Sequence, residues 1–311
     1  MIEIEELRKS YNGTRALDSF SLRIEAGELF GLVGPNGAGK TTLIKMLSTL
    51  LRPDGGLARI AGHDVVQTPR AVRALVGYLP DVAGLYQDMR VREFLEFFAD
   101  AFHLKGDRRR AAVDRALARA GLGERHDAYV EQLSLGMKQR LLLAKILLHE
   151  PKVLLLDEPA TGLDPLARIE LRERLKELNR EGVTIFISSH ILSDLEDICT
   201  RVALIANGRN ATDAEGHTVL TLAGLVQPQL TCEIEVVGAA ETAAPAVAGL
   251  AGARVVRVDG SRLRVEVEGG VEQASALLQR VLAAGVIVLR FDCRGPGLEE
   301  RYRQAFGALR R

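Results

Sequence analysis

The chain reads as an α/β protein with a mainly parallel sheet, followed by a smaller α+β unit. Three observations predict this. Short, almost wholly apolar runs alternate with helical patterns over the first ~225 residues. A stretch with helical spacing and no good strand interrupts that alternation at about residues 82–150. After residue 225 the pattern changes to the order βαββαβ.

The first clear strand is "GELFGLVG", and "TTLIKMLSTLL" after it has the spacing of a helix. Between them the chain reads Gly34, Pro35, Asn36, Gly37, Ala38, Gly39, Lys40, Thr41, Thr42, a match to G-x-x-x-x-G-K-[ST]. Glycines at 34, 37 and 39 permit backbone angles that other residues avoid and leave room for a ligand against the main chain. The N–H groups can then turn inward as an anion cradle, reinforced by the start of the helix. Lys40 supplies a mobile cation for β- and γ-phosphates, and the Thr41 hydroxyl can ligate Mg²⁺. The bland alternative is a glycine turn with a coincidental Gly-Lys-Thr; strand, loop and helix in this order argue against it.

In the helical stretch, Val91, Phe94, Leu95, Phe98 and Phe102 recur on one stripe, and a second helix runs roughly from Arg108 to Ala120. The aromatic stripe reads as core rather than as a cofactor box. "QLSLGMKQR" then opens a third helix, with Met137, Leu141, Ala144 and Leu148 along one side. Ser134 with Gly136 is open to two accounts: a serine N-cap, or a second helix start that binds phosphate.

Three buried strands follow: "KVLLLDEP", "VTIFISSH" and "RVALIANG". Between the first two, "LARIELRERLKELNREG" sets Leu171, Leu175 and Leu178 on one face and stops at Gly182. Ligands of open α/β sheets sit at the carboxyl ends of strands. Asp157 is therefore placed to hold Mg²⁺, and Glu158, one residue on, to take a proton from an attacking water. His190 ends the next strand on the same edge, where it could hydrogen-bond a γ-phosphate. Beyond residue 229 the expected elements are strand 230–237, helix 241–250, strands 253–258 and 262–268 joined by a "VDGSR" hairpin, helix 271–284 and strand 286–292. This order suggests a ferredoxin-like unit, and "GLEERYRQAFG" reads as a closing helix.

Composition narrows the class. The 311 residues suit two domains, and 47% hydrophobic with 26% charged content suits a packed core. A formal net charge of +0 argues against general nucleic-acid binding. Cys199, Cys232 and Cys293 have no metal-type spacing and read as unpaired thiols in a reducing compartment. The charged opening "MIEIEELRKSYNG" is no secretory signal, and no window offers the ~18 apolar residues of a membrane span. The expected location is cytoplasmic, with any spanning done by another chain.

With these motifs in order, residues 1–225 resemble the nucleotide-binding subunit of an ABC transporter. The loop at 34–42 resembles its Walker A, "LSLGM" its signature loop, residues 153–158 its Walker B, Leu163-Asp164 its D-loop and His190 its switch histidine. The resemblance implies a P-loop ATPase core with a β-subdomain and an inserted helical subdomain at about 82–150. It implies Tyr11 as the residue stacking on adenine, ATP and Mg²⁺ as ligands, and Thr41, Asp157 and Asp81 near the metal. It implies catalytic roles for Lys40, Glu158 and His190, and Ser134 and Gly136 acting across a head-to-tail dimer. Two departures stand out: Leu135 and Met137 in the signature, and Asp81 where glutamine or glutamate is usual. "SLGMKQR" looks like exporters of the drug, lipid and polysaccharide type. The remainder, 226–311, resembles the accessory domain of daunorubicin-resistance-type ATPases. The implied partners are a second nucleotide-binding domain, expected as a second copy, and a separate membrane permease at the inner face of the cell membrane, contacted by the helical insertion and the region around Asp81. Rival expectations are a soluble ABC ATPase acting on ribosomes or DNA, and a regulatory ATP sensor.

Overall fold

The computed structural model describes residues 1–294, apart from 192, 197, 212–217, 222–228, 249 and 269. The expected closing helix at 297–307 lies outside the described residues. The chain divides into two compact units, Met1–Leu220 and Thr221–Arg311. Among the described residues, no helix is long and apolar enough to cross a membrane.

The first unit holds two sheets. β1 (Ile2–Tyr11) and β2 (Thr14–Ile24) form an antiparallel ribbon, joined by β4 (Gly55–Ile60) and β5 (His63–Asp64) in the order β2-β1-β4-β5. The other sheet is built on β3 (Leu29–Val33), which leads into α1 (Lys40–Leu47). α2 (Pro69–Leu75) precedes β6 (Val76–Leu79). The helical insertion follows as α3 (Val91–Ala101), α4 (Gly106–Arg119) and α5 (Leu135–Leu147). Then come β7 (Val153–Asp157), α6 (Pro165–Arg180), β8 (Thr184–Ser189), α7 (Ser193–Glu196), β9 (Arg201–Ala206), β10 (Arg209–Ala211) and β11 (Val219–Thr221).

The order β10-β9-β3-β8-β7-β6 is parallel from β9 to β6. β3, β7 and β8 are buried throughout, which is why their sequences are runs rather than alternations. The core lies between the two sheets: Ile2, Leu7 and Phe20 from the ribbon meet Leu43 and Leu47 of α1 and Leu155 and Phe186 of the parallel sheet. Of the aromatic stripe on α3, Val91, Phe94 and Leu95 are core. Phe102 is exposed instead, with its ring stacked on His149 at 4.4 Å.

The second unit has its own core and a four-stranded antiparallel sheet of β12 (Gln229–Val236), β13 (Ala253–Asp259), β14 (Arg262–Glu268) and β15 (Val288–Arg294), in the order β13-β14-β12-β15. α8 (Ala244–Ala248) and α9 (Gly270–Ala283) complete the βαββαβ order. Ile234, Leu263, Val265 and Leu277 form its interior. The expectation of three unpaired thiols is corrected here: Cys232 and Cys293 form a disulfide, leaving Cys199 free and buried. The two residues are 61 positions apart in sequence but stand directly opposite each other on neighbouring strands. Sequence spacing carries no trace of that pairing.

Candidate functional site

The loop at 34–39 leaves β3 at its carboxyl end and is shaped by its glycines. Gly39, the N-cap of α1, has φ +109°, and a Cβ there would meet the Ala16 carbonyl oxygen at 2.5 Å. Gly34 would bring a Cβ to 2.4 Å from the Ile205 carbonyl oxygen. Neither position accepts a side chain without moving backbone. Ala16, Asn36, Gly37, Ala38, Gly39, Lys40, Thr41, Thr42, Asp81, Glu158, Thr161 and His190 line one cleft of about 300 Å³.

Lys40 is only 6% exposed. Its ammonium curls back on the loop and donates to the carbonyl oxygens of Gly34 at 2.7 Å and Pro35 at 3.3 Å. It also lies 3.1 Å from Oε1 of Glu158. That oxygen has no well-aligned hydrogen bond, so the contact is ionic.

Glu158 is the first residue past β7 and adopts φ +50°, a left-handed conformation rare outside glycine. Such local strain persists only where surrounding contacts enforce it. Ser188 Oγ accepts from the Glu158 N–H at 3.1 Å. The Glu158 Oε2 accepts the His190 backbone N–H at 3.3 Å and lies 2.8 Å from His190 Nδ1. One carboxylate thus spans Lys40 on one side and His190 on the other.

Asp157 is fully buried. Its Oδ1 accepts the Ser188 hydroxyl at 2.7 Å, while Oδ2 makes no well-aligned hydrogen bond, although the Thr41 hydroxyl lies close enough to act on the carboxylate. Burial raises its pKa; the hydroxyls of Ser188 and Thr41 act against that, and the Glu158 and Asp81 carboxylates add to it. These surroundings on balance disfavour the charged form of Asp157.

The remaining expected residues lie apart from this cleft. Tyr11 ends β1, 45% exposed, with the Lys9 ammonium 5.8 Å from its ring centroid. Ser134 is the N-cap of α5 and accepts from the Met137 N–H at 3.3 Å. Gly136 packs against α6, where a Cβ would meet that of Ala167 at 2.7 Å. Three contributors escaped the sequence reading: Ala16 and Thr161, which line the cleft, and Ser188, which joins Asp157 to Glu158. The only signal for Ser188 was a small polar residue two positions before His190.

Comparison with known proteins bears on this geometry. The ABC transporter family profile matches residues 17–161. A daunorubicin resistance ATP-binding protein of Streptomyces coeruleorubidus (DrrA3) is 36% identical over 311 residues, covering 100% of this chain and 97% of its own. The chain belongs to the ATP-binding subunits of ABC transporters. A Nod factor export ATP-binding protein I of Paraburkholderia xenovorans is 40% identical over 233 residues, 75% of each chain. A dimeric bacterial ABC transporter cassette superposes with a TM-score of 0.63 at 25% identity, over 72% of this chain and 100% of that one. This ABC ATPase is therefore kin to transporter subunits, and ribosome- or DNA-directed action is not favoured.

Proposed function

We propose that this ABC ATPase powers export through a separate membrane permease, working as a dimer of two copies at the inner face of the cell membrane. The observation that carries the catalytic part is the run of contacts Lys40–Glu158–His190 at one sheet edge, with buried Asp157 beside it. It joins a cation, a candidate base and a second proton-bearing ring within one cleft.

On this reading, the 34–39 loop and the start of α1 cradle the triphosphate and Lys40 turns from Glu158 to the terminal phosphates. Glu158, released from its cation, accepts a proton from the attacking water. His190 stays hydrogen-bonded to Glu158 and faces the same phosphate. Tyr11 offers its exposed ring to adenine, and Ser134 and Gly136 face the nucleotide of the second copy. The dimeric cassette among the similar structures supports that last assignment.

Mg²⁺ fits the residues present. Asp157, Glu158 and Asp81 would repel phosphates without a counter-charge, and Asp157 has a buried oxygen with no well-aligned hydrogen bond. Among the described residues no group of three or more His, Cys, Asp or Glu comes together to hold a metal alone. Mg²⁺ at nucleotide sites takes one or two carboxylates plus phosphate oxygens and water. Asp157 and Thr41 would hold it, and it would neutralise charge developing on the transferred phosphoryl group.

The permease would meet the segment after Asp81 and the insertion beside it. Val82, Tyr86 and Phe97 are exposed there, and the Tyr86 ring packs edge-on to Phe97 at 5.5 Å. The accessory unit, proposed to begin at about residue 226, has a strand order that supports the ferredoxin-like reading.

The test is fractionation of cells expressing the chain with and without the neighbouring membrane-protein gene. Membrane association that requires the second gene and withstands high salt is expected, since stable subunit contacts bury apolar surface. Sedimentation with ribosomes in both strains would overturn the reading.

A further inference from the structure

Asp81, shorter by one methylene than the glutamine or glutamate usual at that place, raises the question of what makes up the reach. Among the described residues, three buried side-chain oxygens have no hydrogen-bond partner: Tyr78 Oη, Asp157 Oδ2 and Glu158 Oε1. Lys40 faces the last of these. The first two remain, and they belong to adjacent strands.

Tyr78 of β6 is in parallel register with Leu155 of β7. Leu155 and Asp157 are two residues apart, so all three side chains share one face of the sheet. Asp81 follows two residues after β6 and lines the nucleotide cleft. Ionised carboxylates only accept hydrogen bonds, so Asp157 and Asp81 cannot satisfy each other. A neutral hydroxyl can donate to either, or to water between them. Burial first, then the Asp157 and Asp81 carboxylates, push the Tyr78 pKa up to about 12, which keeps it a donor across the physiological range. A buried hydroxyl left without a partner is destabilising, so a donor there calls for an acceptor.

We propose that the Tyr78 hydroxyl is an outer-shell hydrogen-bond donor of the divalent-cation site, donating to a water held between Asp157 and Asp81. It would orient Asp157 as a ligand and allow the short Asp81 to serve the metal through water. Tyr78 is thus a positioning residue, and the inference rests on the ATPase reading above.

Tyr78→Phe removes one oxygen and keeps the ring packed on the core. The measurement is calorimetric ATP affinity of the full chain, once with Mn²⁺ and once with EDTA. The ratio of the two affinities is the gain the metal brings. That gain should shrink about tenfold in Tyr78→Phe, the usual effect of losing an outer-shell partner. Affinity in EDTA and the melting temperature should stay at parent values. Asp81→Gln in the Tyr78→Phe background should restore most of the gain, because the longer side chain reaches the metal itself. A gain within twofold of the parent in Tyr78→Phe, or no rescue by Asp81→Gln, would overturn the proposal. A parent chain that fails to bind ATP under either condition would instead overturn the ATPase reading.

Discussion

The parallel sheet of the first unit and the antiparallel sheet of the second treat charge in opposite ways. In the first unit, Lys40, Asp157 and Glu158 are withdrawn from solvent at the carboxyl edge of a parallel sheet. Two carboxylate oxygens there have no hydrogen-bond partner. In the second unit, Arg254, Arg262 and Arg264 pair with Glu266, Glu235 and Glu233 across an open sheet face in contact with water. The solvated pairs cost little to hold and contribute little. The buried set carries a desolvation penalty that stability alone does not explain. Buried carboxylate oxygens without hydrogen bonds, rather than the amount of charge, distinguish the proposed catalytic edge from the sheet of the second unit.

The sharpest way to break this comparison is Glu158→Gln. Turnover should fall by about 10²–10⁴-fold, the range for losing a general base, with ATP binding retained. An ATP-loaded dimer should then persist in light scattering. Hydrolysis at the parent rate would remove Glu158 from the chemistry.

The second unit should lose stability without touching that chemistry. Cys232→Ser opens the disulfide to Cys293 and should cost about 2–4 kcal/mol in urea unfolding of this unit. A reductant should bring the parent down to the same value, with ATP turnover unchanged in both. Equal unfolding of parent and variant under oxidising conditions would mean that the bond is not made.

Tyr11→Ala tests the exposed rim of the working region. ATP affinity should weaken by about 0.5–1.5 kcal/mol beyond lost contact area, while triphosphate lacking the base binds as before. Equal ATP affinity in fluorescence titration would take Tyr11 out of the site. The smallest effect belongs to the solvated pair. A double-mutant cycle on Glu233→Ala and Arg264→Ala should give a coupling of about 0.2–1 kcal/mol, falling with salt, and leave turnover unaltered. A coupling several times larger would erase the contrast between the two faces.

Local patterns were legible where local physics decides. Residues 153–157 are wholly apolar before their carboxylate, and Leu171, Leu175 and Leu178 mark one face of α6, because burial imposes those periods. The loop at 34–42 was legible because its glycines answer to a local backbone shape. What depends on neighbours across strands was not. Ser188 reaches both Asp157 and the Glu158 N–H only through β7–β8 pairing. Cys232 meets Cys293 only through β12–β15 pairing. Phe102 keeps the helical spacing of the stripe but lies in the first residue past α3, where the helix no longer holds it to the core.

On the proposed assignment, the 3.1 Å contact between Lys40 and Glu158 would give nucleotide capture the character of ion exchange. A phosphate arriving at Lys40 would find a cation already paired, and would have to displace a carboxylate rather than a film of mobile ions. An ATP affinity would then contain the cost of that displacement and understate the attraction between lysine and phosphate. The salt dependence of ATP binding should then be shallow, because the outgoing anion is tethered to the protein. On the proposed assignment the exchange is also an interlock: the proton acceptor is released from its counterion by the same event that delivers the bond to be cut.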